Sequence, residues 1–149
     1  MSAADQARML VRLRAARMAH SATALAEARR ATAQADADCA TAEADAQVAG
    51  ATLVTAHADL VRDPAAAELR LALVDRSLFA HALARTAANE AADALAHCAE
   101  TEAERRRALI LAQARHDRLA EHVGALERRA AYRAEERTLR DAEDDRSKR

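Results

Sequence analysis

A seven-residue repeat of apolar side chains constrains this chain more than any other feature. Stepping in sevens from Ala4 meets Val11, Met18, Leu25, Thr32, Cys39, Ala46, Leu53 and Leu60. The row three residues later is mostly alanine (Ala7, Ala28, Ala35, Ala42, Ala49 and Ala56), broken by Arg14, Ser21 and Asp63. A sustained period of seven keeps one stripe of a helix turned toward one partner helix and imposes a left-handed supercoil. Alanine along one edge lets the partner approach near the short end of the usual ~8–10 Å between helix axes.

Composition points the same way. Alanine accounts for 46 of the 149 residues, 32% are charged, and Phe79 and Tyr132 are the only aromatic residues. Alanine is the best helix former but buries little surface, so long helices are favoured over a globule with a thick core. Two glycines, one proline and few β-branched residues argue against strands and hairpin turns.

The second half carries a comparable seam through Val74, His81, Ala88, Leu95, Glu102, Leu109, His116, Val123 and Ala130. A companion row runs through Ala84, Ala91, Cys98, Arg105, Ala112, Leu119 and Leu126. Leu71, Leu78, Phe79 and Leu83 fit neither row, which predicts a stutter near residues 78–84. Between the halves, Asp63-Pro64 reads as an N-cap followed by a first helical residue. The prediction is therefore an all-α, two-helix antiparallel coiled-coil hairpin forming one domain. Helix 1 covers residues 3–62, a turn 63–66, helix 2 residues 67–141 and a frayed tail 142–149.

Folding the sequence about residue 67 pairs Leu60 with Val74, Cys39 with Leu95, Leu25 with Leu109, and Val11 with Val123. Thr32 then falls opposite Glu102 and Ala28 opposite Arg105, in one polar band. His81 and His116, opposite Leu53 and Met18, read as polar residues that set register. Each arm would run to roughly 90 Å at 1.5 Å per residue.

The formal net charge is −1 and is unevenly spread. Residues 1–20 hold four Arg and one Asp, and residues 21–100 hold six Arg and twelve acids. In a hairpin both termini share one end, which makes that end Arg-rich and the body toward the turn acidic. Arg8, Arg12, Arg14, Arg17, Arg128 and Arg129 are the candidate contacts of the terminal end.

No enzyme signature is present. None of the six histidines follows an acid by three residues, and His-Glu-x-x-His, Cys-x-x-Cys and a Gly-rich phosphate loop are all lacking. No metal or cofactor is expected. Cys39 and Cys98 read as free thiols of a reducing cytoplasm. Met9-Leu10-Val11 is followed at once by Arg12 and Arg14, which leaves no apolar leader, and no stretch reaches the roughly 20 apolar residues of a membrane span. Nucleic acid is not an expected partner, because Glu102, Glu104 and Glu127 flank the Arg clusters and aromatic stacking platforms are missing.

The stretch Leu69–Leu83, with Leu71, Leu78, Phe79 and Leu83, carries more apolar residues than one seam requires. It reads either as added packing around the turn or as a docking patch; Leu109-Ile110-Leu111 is a second candidate.

The chain resembles the flagellar type III export protein J family and its injectisome O-type stalk relatives. The resemblance lies in the length, the two-helix layout, Asp63-Pro64 at the midpoint and the charged carboxyl end from Glu127-Arg128-Arg129 to Glu135-Glu136-Arg137. It implies a non-enzymatic cytoplasmic stalk, peripheral to the inner membrane, whose paired termini enter the ring of a hexameric export ATPase. The body of the stalk would contact an export-gate membrane protein, with Leu78 and Phe79 in the neighbourhood of that contact. The alternative reading is a self-associating structural coiled coil or an adaptor unrelated to secretion.

Overall fold

The computed structural model describes residues 3–62 and 66–147. They form two helices, α1 (Ala3–Arg62) and α2 (Ala67–Ser147), with Ala66 in a short 3₁₀ turn just before α2. The Asp63-Pro64 cap lies outside the described residues. Asp5 and Glu68 stand in the first turns, and Arg62 and Arg146 in the last turns, where each charge opposes the local end of the helix dipole.

Helix α2 continues through Ser147, past the end predicted at residue 141. A helix does not need an apolar seam to persist. Alanine, arginine and glutamate are strong helix formers, and the Arg140–Glu136 pair ties one turn of this segment to the next.

The chain divides into two compact units, each an antiparallel pair of helical segments. Unit 1 is Met1–Leu25 with Arg105–Arg149, and unit 2 is Ala26–Glu104. In unit 1, Arg8 reaches Glu127 and Arg14 reaches the backbone of Arg115. In unit 2, Arg29 reaches Glu102 and Gly50 lies beside His81. In both units rising numbers on α1 meet falling numbers on α2, so the strands of helix run in opposite directions.

Burial follows the seven-residue rows. Leu25, Cys39 and Ala46 on α1, and Val74, Ala88 and Val123 on α2, are the buried apolar residues. Val11, Met18, Leu53 and Leu60 are half-buried, as are the row alanines from Ala28 to Ala56. On α2 the rows run without interruption through Val74, Ser77, His81, Ala84 and Ala88, so the seam shows no stutter there. Leu71, Leu78, Phe79 and Leu83 miss the rows because they point to solvent, and the repeat itself never shifts.

The polar band differs in detail from the prediction. The Thr32 hydroxyl donates to the Ala28 carbonyl at 3.1 Å, a local bond that satisfies it without a partner helix. Glu102 instead pairs with Arg29 at 3.6 Å. Arg105, Leu126 and Ala130 are exposed despite their places on the rows. Arginine can carry its charged end out to water on a flexible stem. Every residue with a described side chain from Leu126 to Asp144 is exposed, although Glu127 still meets Arg8 of α1.

His81 lies over Gly50, where an added Cβ would stand 3.3 Å from Nε2, one turn short of the predicted Leu53. Glycine leaves room there for the imidazole. At Gly124 a Cβ would meet only the flexible Arg128 guanidinium, at 3.4 Å. Gly124→Ala should therefore recover most of the helix-propensity difference of ~1 kcal/mol and raise the melting temperature by about 2–4 °C. Gly50→Ala should gain less, because His81 must give way, and Gly50→Leu should destabilise. Circular-dichroism melts of the three variants check the order. In the same assay Leu25→Ala should cost about 2–3 kcal/mol.

Candidate partner-binding surfaces

Each unit presents a surface that its own seam does not consume. In unit 1 the Arg8 Nε donates to Glu127 Oε1 at 2.7 Å, and its guanidinium also lies 3.9 Å from Asp5. The hydrogen bond to Glu127, and then that carboxylate's charge, raise the Arg8 pKa. Both side chains remain about half exposed, so the pair orients Arg8 more than it stabilises the fold. Arg14 is half-buried, and its Nη1 donates to the Arg115 carbonyl at 2.9 Å.

Arg12, Arg17, Arg128 and Arg129 are exposed. Arg14 and Arg17 line one groove together with Arg115. Arg128 and Arg129 do not line it, so the structure does not gather the six predicted arginines into one cluster. Arg115 and Arg118, which do line the groove, went unrecognised in the sequence. Their signal was present: Arg115 stands three residues after Ala112 of the companion row, hence on the flank of the seam.

In unit 2 the stretch Leu69–Leu83 is largely solvent-facing. Leu71 and Leu78 are each 52% exposed, Phe79 71% and Leu83 62%, while Val74 alone is buried. These four exposed residues do not form one patch. A hollow of about 350 Å³ lined by Glu43, Gln47, Gly50, His81 and Arg85 marks one face of the helix pair. Leu78 and Leu71 stand seven and fourteen residues before Arg85, and Val54 and Val61 stand seven and fourteen after Gln47. The repeat therefore places these four residues on the face that carries the hollow. Val54 and Val61 are 69% and 83% exposed, so both helices contribute to an apolar face. Phe79 and Leu83, four residues apart, sit on a separate row turned away from the seam.

Among the described residues, no three His, Cys, Asp or Glu side chains come together in a way that could hold a metal ion. Cys39 and Cys98 are both free thiols. Burial, followed by the nearby carboxylates of Glu43 and Asp36, raises the Cys39 pKa. His116 is half-buried and its Nδ1 lies 3.0 Å from Asp117 Oδ1. Among the described residues, no helix is long and apolar enough to cross a membrane.

Two outcomes follow. Cys39 is buried and its pKa raised, so it should alkylate more slowly than the half-buried Cys98, a gap that should close in denaturant; mass spectrometry of partly alkylated protein reads this directly. Phe79→Ala should change stability by less than about 0.5 kcal/mol, as a thermal melt would show.

Compared with protein-family models, with curated protein sequences and with solved structures, the chain matches none.

Proposed function

We propose that this protein works by contact and not by catalysis, as the stalk of a bacterial type III export apparatus, flagellar or injectisome. Unit 1 binds the ring of the hexameric export ATPase, and the apolar face of unit 2 meets an export-gate membrane protein. The protein acts in the cytoplasm, held at the inner membrane through that complex.

The observation that carries this reading is the separation of two unlike surfaces. The apolar face of Val54, Val61, Leu71 and Leu78 belongs to unit 2, and the groove arginines belong to unit 1. By sequence, unit 1 holds 17 basic and 10 acidic residues, a net +7, and unit 2 holds 6 and 14, a net −8. A connector between two partners of different chemistry needs such a division. The same apolar face also supports a second reading, a self-associating structural coiled coil.

Purified protein should bind the export ATPase and stimulate its hydrolysis. Reversing Arg12, Arg14 and Arg17 to Glu should weaken that binding by about tenfold or more. Unchanged affinity of the triple variant would count against the ATPase contact. Light scattering that gives a concentration-independent dimer or tetramer, with no effect on hydrolysis, would favour the structural coiled coil.

A further inference from the structure

Three shallow hollows in unit 1, of about 550, 240 and 500 Å³, adjoin one another: Arg115 lines all three, Arg14 the first two, and Arg17 and Ala112 the last two. On α2 the combined groove extends from Ala108 to His122. At 1.5 Å per residue this is about 21 Å, or four helical turns. Its charged walls are Arg14, Arg17, Arg115 and Arg118, and its floor includes Ala112 and Leu119. No carboxylate lines any part of it.

The carboxylates of this part of unit 1 lie elsewhere. Glu127 is engaged by Arg8, Asp117 lies beside His116, and the exposed Glu121 stands next to His122 at the groove's end without lining it. Exposed leucines join the basic side. Leu111 lines the groove and is 56% exposed. Leu10 and Leu13, about half exposed, stand seven residues before Arg17 and His20 and so extend the same face. Arg14 is held by its bond to the Arg115 carbonyl, which fixes one guanidinium in the wall before any ligand arrives.

We infer that this groove binds an acidic amphipathic helix of a partner protein. Leucines and alanines between guanidinium groups suit a helix with apolar anchors at i, i+3, i+4 and i+7 and carboxylates beside them. Arginine pairs with carboxylates in a bidentate fork, and a groove with no acid in its lining leaves that capacity for the ligand. An apolar floor with no aromatic ring is poorly suited to nucleic acid, which needs stacking platforms. The inference rests on unit 1 alone, so the export-ATPase assignment can fail without it.

The test uses the full chain and a fluorescent peptide of about 18 residues with Leu at i, i+4 and i+7 and Glu beside them. Two control peptides replace Glu by Lys, or Leu by Ser. Fluorescence anisotropy should show saturable, salt-sensitive binding of the Glu-Leu peptide, and both controls should bind at least about tenfold more weakly. Arg115→Glu with Arg118→Glu should weaken the Glu-Leu peptide by about tenfold or more. Arg30→Glu with Arg76→Glu, an equal charge change on unit 2, should shift it by less than about twofold. Circular dichroism confirms that each variant is helical. Absence of saturable binding, equal binding of the Leu-to-Ser peptide, or tighter binding of a DNA oligonucleotide would overturn the proposal.

Discussion

A narrow seam, much of it alanine, holds each pair of helical segments together, and every other property of the molecule is set by how little that seam buries. Its best-covered positions are Leu25, Cys39, Ala46, Val74, Ala88 and Val123, and only Leu25, Val74 and Val123 of these are larger than cysteine. The accessible surface is 11606 Å². A globular monomer of 16.0 kDa would expose roughly 7,400 Å² by the usual scaling. Stability is therefore spread thinly over many layers, and most side chains are available for contact with something else.

What that surface can do differs between the units. Exposed ion pairs contribute little to folding, so the uneven charge of units 1 and 2 is free to serve recognition. In unit 2 the flank of the seam carries valine and leucine from both helices. In unit 1 the groove carries arginine over alanine and leucine, with no carboxylate in its lining. The open grooves here suit extended partners, and binding by such surfaces is governed by a few buried anchors and by charge complementarity.

Much of this was legible in the sequence because the seven-residue period is read directly from residue spacing. The α1 rows from Val11 to Leu60 and the long helices follow from it, and the antiparallel direction follows from the Asp63-Pro64 break between the two seams. The predicted stutter does not occur, because Leu71, Leu78 and Leu83 are surface residues beside an intact seam. Hydrophobicity alone does not distinguish an apolar side chain that packs inward from one held for a partner. Arg115, Arg118, Val54 and Val61 were missed for a related reason. Clusters along the chain are visible in a sequence, whereas these residues share a face with side chains of the other helix, far away in sequence. The one-turn offset that sets His81 over Gly50 depends on how side chains interleave, which a mirror about residue 67 cannot capture.

Register is the central claim, and cysteine cross-linking tests it most directly. In a background with Cys39→Ala and Cys98→Ala, Gly50→Cys is combined in turn with His81→Cys, Val74→Cys or Ala88→Cys, the last two lying one repeat to either side. Disulfides require Cα atoms within about 7 Å. Mild oxidation should link the Gly50→Cys and His81→Cys pair within a single chain, and the flanking pairs should link at least about tenfold more slowly. Equal rates for all three pairs would contradict a seam that fixes one register.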